Sequence, residues 1–221
     1  MATTIYSSAN DGYITSSNAN FVLARDSASG SSFSKTSTTA TYGIRSDVAS
    51  GRGGTTYFVA RTFLDFDVSW ITHIPKSATL RIRGQGNDNA DVVAVRGTQS
   101  TSLALADFDS IYGWDGTSAD GSGAGSNSGN VTVYGDAISW DATGFNTFTL
   151  TRKALLHISA FTTFKVCLME EDSDLRDITP VSPWGDINYS GSRLSEYSGT
   201  SSDPLLSIVE QDNSISFGCN I

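Results

Sequence analysis

The chain has 221 residues, a hydrophobic content of 38% and a formal net charge of −9. This length suits a single all-β domain, and the content of 11 Phe, 8 Tyr and 4 Trp argues against a disordered chain. The acidic balance argues against a nucleic-acid partner, because binding of phosphate groups needs a basic surface. No apolar run approaches the roughly 20 residues that cross a bilayer, so we expect no membrane partner.

Short stretches of alternating apolar and polar residues recur along the chain, and each predicts a β-strand. In chain order they cover residues 3–7, 12–15, 21–24, 42–48, 57–67, 74–83, 92–96, 131–134, 145–151, 163–170, 187–190 and 205–210. Residues 27–41, 49–56, 84–91 and 115–130 are rich in turn formers and predict loops. Only residues 152–160 have helical spacing, with Thr151 as the expected N-cap. We therefore predict one domain, residues 1–210, and a tail at 211–221.

The clearest signal is the strand pair at 57–67 and 74–83. One face of the first strand carries the apolar residues Phe58, Ala60, Leu64 and Phe66. The other face carries Tyr57, Arg61, Asp65 and Asp67, with Phe63 as an apolar exception. The second strand repeats the pattern with Ala78, Leu80 and Ile82. A period of two predicts strands with one face on a core and the other in water, as in an antiparallel β-sandwich.

Four parts of the chain, in order, carry a family resemblance: DGYI at 11–14; ARTFLDFD at 60–67 with IPKSATLRI at 74–82; FTLTRKALL at 148–156; and YSGSRLSE at 189–196 with DPLLSI at 203–208. Together they resemble the DNRLRE-type β-sandwich domains, which are jelly-roll modules of extracellular proteins. The resemblance implies an all-β, single jelly-roll-type antiparallel β-sandwich with one short α-helix. Some members of that family are carbohydrate-binding modules for acidic polysaccharides, so it also implies a sugar ligand.

No catalytic motif is visible in the sequence. The chain has two histidines, His73 and His157, and no metal-binding or nucleophile spacing joins them. We expect both to be structural. Asp65 and Asp67 lie close in sequence, but a glycosidase needs two carboxyl groups across a cleft. The prediction is a protein without enzymatic activity.

Three aromatic residues are candidates for stacking on a sugar: Trp184, Tyr189 and Trp114. An apolar sugar face packs well on an aromatic ring, and nearby polar side chains supply hydrogen bonds. Trp184 lies between Pro183 and Gly185, which places it in a loop. The alternative for these large aromatics, and the favoured one for Trp140, is packing in the core.

Two acidic segments are candidates for a structural calcium ion. Asp88 and Asp91 belong to the first, at 87–91, and Glu171 and Asp174 belong to the second, at 170–177. Calcium takes six to eight oxygen ligands, which such loops can supply. Neither segment has the EF-hand pattern, and the alternative is a pair of solvated turns.

The two cysteines and the apolar tail raise the question of assembly. Cys167 lies in an apolar strand and Cys219 near the C-terminus, either as two free thiols, which we favour, or as a bridge that anchors the tail. Phe217, Cys219 and Ile221 are apolar residues at a chain end, which predicts docking on a partner. A homo-oligomer, with a trimer as one arrangement, would bury them.

The sequence begins at Met1 without a basic and apolar leader, so we expect synthesis in a host cytoplasm. With the acidic, Ser/Thr/Gly-rich composition, this predicts a non-enzymatic virion structural protein: a bacteriophage capsid decoration, head-fibre or tail-associated subunit. Its partners would be other virion proteins, with adhesion to a host glycan as a further role. The alternative prediction is a carbohydrate-binding module for an acidic polysaccharide.

Overall fold

The fold in the computed structural model is built almost entirely from antiparallel strands. The structure describes residues 2–35, 39–52, 54–114, 130–181, 187–193 and 202–211. The strands are β1 (Ala2–Tyr6), β2 (Gly12–Asn18), β3 (Ser32–Ser34), β4 (Thr39–Gly51), β5 (Gly54–Asp67), β6 (Ser77–Asp88), β7 (Asp91–Arg96), β8 (Val133–Ser139), β9 (Phe145–Thr149), β10 (Thr163–Glu170), β11 (Ile187–Arg193) and β12 (Leu205–Val209). The helices are α1 (Phe21–Arg25) and α2 (Arg152–Ala160), with a 3₁₀ turn at Leu105–Asp107 and a π-helical turn at Glu171–Leu175.

Two sheets face each other across the main core. In the first sheet the strand order is β1-β12-β6-β9. In the second, β5 pairs with β2, β4 and β10, while β10 continues to β7 and β8. The long strand β6 joins the sheets, because it pairs with β12 and β9 near its start and with β11 near its end. This arrangement confirms the predicted antiparallel β-sandwich.

The main core confirms the predicted apolar faces at Leu64, Phe66 and the second strand, whereas Phe58 is only half-buried, with Arg45 Cζ 4.1 Å from its ring centroid. Leu64 and Phe66 of β5 are fully buried in it, and so are Leu80 and Ile82 of β6. Helix α2 packs its residues Ala154, Leu155 and Ile158 against this core. The helix begins as predicted, with the Thr151 hydroxyl accepting a hydrogen bond from the Ala154 N–H.

The opposite face of β5 is buried at Arg61 and Asp65, although Asp67 at its end is exposed, and the expectation of a half-buried strand is wrong in that buried part. Arg61 is 0% exposed and Asp65 is 7% exposed. A second apolar cluster covers this face, with Phe21 of α1 and Phe108 after the 3₁₀ turn among its members. Alternation in the sequence shows which face of a strand is apolar and which is polar, but it does not show which other elements of the chain cover each face.

Local structure departs from the predictions at four places, one of which is the predicted loop 49–56, taken up mostly by the end of β4 and the start of β5. Residues 21–24 form helix α1 rather than a strand, because the Asn20 side chain caps it by accepting from the Leu23 N–H. Strand β3 lies inside the predicted loop 27–41. The predicted turn 84–91 is occupied mostly by β6, which runs to Asp88 before β7 begins at Asp91.

Cys167 lies on the second-core face of β10 as a buried free thiol, and burial raises its pKa above the ordinary value. Its predicted alternative partner, Cys219, lies outside the described residues. In the described part of the chain, no helix combines the length and apolar character needed to cross a membrane.

Candidate functional site

A groove of about 620 Å³ lies between the end of β7 and the segment that joins α2 to β10. We call it the Arg96 groove, and its main lining residues are Arg96, Tyr134, Phe161, Thr163 and Lys165. Both charged residues among all those that line it, Arg96 and Lys165, are cations. This sign stands out in a chain with a net charge of −9.

Arg96 is held by aromatic rings rather than by an acid. Its Cζ atom lies 3.9 Å from the ring centroid of Tyr112 and 4.9 Å from that of Phe161. Among the described residues, no carboxylate lies within ion-pair distance of its guanidinium. A guanidinium has five N–H donors in a planar fork that matches a carboxylate. The rings therefore position a half-buried cation whose hydrogen-bonding edge is available to a ligand.

Lys165 fixes the loop that follows β7. Its Nζ donates to the Gln99 carbonyl at 2.5 Å, and Gln99 Nε2 donates to the Leu64 carbonyl at 2.9 Å. Gly97 leaves room for the Gln99 side chain, because a Cβ atom at position 97 would lie 2.3 Å from Gln99 Oε1. These contacts give the groove a rigid wall before any ligand arrives.

Tyr134 and His157 form a neutral hydrogen-bonded pair at the groove. The Tyr134 hydroxyl lies 2.8 Å from His157 Nδ1, and the Tyr134 ring stacks on Phe164 with centroids 4.8 Å apart. Burial raises the pKa of Tyr134. Burial, together with the charges of Arg96 and Lys153, lowers the pKa of His157. Both groups are therefore uncharged at neutral pH and leave Arg96 as the charge at this position.

The groove chemistry suits recognition of an acidic sugar. Arg96 offers donors to a carboxylate, Phe161 offers an apolar ring that is 38% exposed, and the hydroxyl of Thr163 offers hydrogen bonds. None of the described residues that line the groove is Asp or Glu. The two carboxyl groups that a glycosidase needs are therefore not among them.

A buried arginine cluster, made of Arg25, Arg61, Asp26 and Asp174, stands behind the second face of β5. Arg61 donates from Nε and Nη2 to both carboxylate oxygens of Asp174, at 2.9 and 2.6 Å, and from Nη1 to the Phe108 carbonyl. Arg25 donates to the Asp174 carbonyl and pairs with Asp26 at 2.6 Å. Both arginines and Asp174 are 0% exposed, so this cluster is part of the interior.

Trp114 is half-buried and packs against the second apolar cluster. The Cζ atoms of Arg25 and Arg61 lie over its ring, 4.4 and 4.3 Å from the centroid. These contacts occupy part of the ring, and sugar stacking at Trp114 stays a prediction. Trp140 is 5% exposed and belongs to the main core, as its favoured interpretation predicted.

The predicted calcium ligands have other roles in the structure. Asp174 is bound by Arg61 through both oxygens, and Glu171 pairs with the exposed Arg176. Asp88 and Asp91 are exposed, and Asp91 accepts a hydrogen bond from Ser139 at 2.8 Å. Within the described ranges, no group of three or more His, Cys, Asp or Glu side chains could hold a metal ion. The structure therefore does not support calcium at either acidic segment.

Five predicted site residues cannot be placed by their side chains. Tyr189 lies in β11, opposite Arg45 of β4, but its side chain is outside the described part. The other four, Trp184, Phe217, Cys219 and Ile221, lie outside the described residues altogether. The predictions of sugar stacking at Trp184 and Tyr189 and of assembly through the tail therefore stay predictions.

Sequence reasoning missed Arg96, Tyr134, Phe161 and Lys165. One signal for Arg96 was present, since it is a cation directly after the apolar run Val92–Val95. Its aromatic neighbours come from distant parts of the chain, so their convergence was not visible. Neither a protein-family model nor a curated protein matches this chain.

Glu170 makes the stability of the fold depend on pH. Its carboxyl group accepts hydrogen bonds from the N–H groups of Asp172, Ser173 and Asp174, while burial raises its pKa to about 7. A folded-state pKa above the unfolded value favours the folded state at low pH, and this contribution is lost as the pH rises through about 7. Relative to Glu170→Gln, the wild-type free energy of unfolding should fall by about 3 kcal/mol between pH 4 and pH 8.

Urea unfolding of both chains at pH 4, 6 and 8 measures this difference. The comparison cancels the contributions of other carboxyl groups, such as Asp26, whose pKa is also raised by burial. Parallel pH profiles for the wild type and Glu170→Gln would contradict the assignment.

Proposed function

We propose that the protein is a non-catalytic β-sandwich that binds an acidic saccharide in the Arg96 groove. The observation that carries this proposal is Arg96 itself, a half-buried guanidinium between two aromatic rings with no acidic partner among the described residues. The rings hold the guanidinium in place, and its exposed N–H donors, which water hydrates in the free protein, are available to an anionic ligand. A sugar carboxylate can accept from two of these donors bidentately.

The rest of the groove supports a sugar over a simple anion. Phe161 provides a partly exposed aromatic face, and threonines at positions 98, 101 and 163 line the same groove. Aromatic faces and hydroxyl groups recognise sugar rings, whereas phosphate or sulfate alone would need only the cations. The net charge of −9 disfavours nucleic acid as the source of the anion.

A binding panel tests the proposal. The protein is titrated with pectate, alginate and hyaluronan, and with the carboxyl-reduced form of each as a matched neutral control. We expect at least one acidic polymer to bind, its carboxyl-reduced form to bind at least about tenfold more weakly, and binding to weaken as salt rises. Equal binding of the acidic and reduced forms, or no binding to any acidic polymer, would sink the proposal.

The wider role that the composition predicts, a structural subunit of a bacteriophage virion, stays a prediction. Adhesion to a host glycan is compatible with that role, because a virion surface protein that attaches to a cell needs such a binding site. In that setting the partners would be other virion proteins and further copies of this chain. The binding experiment bears on the groove in either setting.

A further inference from the structure

Trp70 is a large aromatic side chain presented to solvent by a rigid turn. It is 49% exposed, although its neighbours Val68 and Ile71 are 0% and 4% exposed. The Ile71 N–H donates to the Val68 carbonyl at 2.9 Å, and the Ser69 N–H donates to Asp67 Oδ1 at 3.0 Å. The turn is therefore anchored on both sides, and it presents about half of the indole surface to solvent.

The turn adjoins the Arg96 groove. The Val68 N–H donates to the carbonyl of Thr162 at 3.0 Å, and Asp67 is the register partner of Thr163. Thr162 and Thr163 both line the groove, as does Phe161 immediately before them. This edge of the groove, formed by residues 161–163 and the adjoining residues 67–71, is called the rim. A ligand that leaves the groove over the rim meets the turn that carries Trp70.

Charge differs between the groove and the rim. The groove contributes the cations Arg96 and Lys165, whereas the rim contributes Asp67, an exposed carboxylate. Hydrogen bonds from Ser69 lower the pKa of Asp67, so it is ionised at neutral pH. An anionic sugar is favoured beside Arg96 and disfavoured beside Asp67, where a carboxylate can accept hydrogen bonds from neutral hydroxyl groups.

We propose that the ligand is an oligosaccharide that places an acidic unit at Arg96 and a further, uncharged unit on Trp70. An indole offers the largest aromatic surface on which a sugar ring can pack. When the sugar ring covers Trp70, the buried apolar area adds to the affinity that the groove provides. This inference rests on the proposed function, because Trp70 extends the same site. It assigns the site to a chain of sugars rather than to a single acidic sugar.

Hyaluronan fragments, which alternate acidic and neutral sugars, test the inference by calorimetric titration. We expect the wild type to bind the hexasaccharide about tenfold more tightly than the disaccharide. Trp70→Ala should remove this gain and leave disaccharide binding unchanged, while Trp70→Phe should keep part of it. Phe33→Ala is the control, because Phe33 is 43% exposed on β3 and lies outside the groove.

The outcomes separate this inference from the proposed function. Disaccharide binding with no gain for the hexasaccharide, or a gain that survives in Trp70→Ala, overturns the inference alone. A hexamer of galacturonate, in which every unit is acidic, should show a smaller gain over its dimer, and an equal gain overturns the assignment of an uncharged unit to Trp70. Failure of the wild type to bind any of these acidic fragments overturns the proposed function and the inference with it.

Discussion

Asp174→Asn is expected to lower the free energy of unfolding by about 3 to 5 kcal/mol. Asp174 provides both carboxylate oxygens to Arg61. Asp174, Arg61 and the neighbouring Arg25 are all 0% exposed. The amide keeps the shape of the side chain but removes its charge. Arg61 then remains buried without its counter-ion, and breaking a buried pair in this way costs far more than the pair itself contributes. Chemical denaturation with urea measures the loss.

Glu171→Gln is the matched control for this experiment. Glu171 is three residues before Asp174 and binds Arg176, whose side chain is 57% exposed. An ion pair with one solvent-exposed partner contributes less than about 1 kcal/mol, because water and salt screen it. If Asp174→Asn were no more destabilising than Glu171→Gln, the buried arginine cluster would not be the structural centre that its burial indicates.

Arg96→Ala is expected to weaken binding of an acidic polysaccharide by about 30- to 100-fold, which corresponds to the loss of a charged, bidentate hydrogen-bonded contact. The protein should stay folded and lose only about 1 kcal/mol of stability, because the substitution removes two ring contacts but breaks no ion pair among the described residues. Arg96→Lys should recover only part of the affinity. Lysine keeps the charge but lacks the planar fork that stacks on Tyr112 and Phe161. Calorimetric titration of the three chains with pectate fragments measures the difference.

Arg81→Ala separates specific binding from general attraction by positive charge. The Arg81 guanidinium also lies over an aromatic ring, with its Cζ atom 4.5 Å from the ring centroid of Phe145, but it belongs to the other sheet. It carries the same charge and a similar aromatic contact outside the groove. We expect wild-type affinity for this variant, and a loss as large as that of Arg96→Ala would contradict a site centred on Arg96.

The architecture was readable from the sequence because local patterns determine it. The alternation in β5 and β6 placed Leu64, Phe66, Leu80 and Ile82 in the main core, and helical spacing placed α2 after Thr151. What the pattern did not reveal is the cover on the other face of β5. The partner that makes Arg61 a buried residue is Asp174, 113 positions away in sequence. A charged residue on an alternating strand reads as solvent-facing until such a distant partner is known.

The candidate site was harder to predict for the same physical reason. His157 was expected to be structural. In the structure it is hydrogen-bonded to Tyr134, which lines the groove, and no sequence motif with a fixed spacing predicts that hydrogen bond. Trp114 was a candidate for sugar stacking, but aromatic residues serve cores and ligands equally well, and Arg25 and Arg61 both lie over its ring. Asp174 was a candidate calcium ligand, and sequence spacing did not reveal its pairing with Arg61, which is 113 positions away.

The central claim is that Arg96 binds the carboxylate of an acidic sugar. The most direct test follows the Nε–H resonance of Arg96 by NMR during titration with methyl galacturonide and, separately, with the neutral methyl galactoside. We predict a saturable shift at Arg96 with the acidic sugar, little change with the neutral one, and no shift at Arg81 with either. An Arg96 resonance that does not move with methyl galacturonide, or that moves equally with both sugars, would contradict the account.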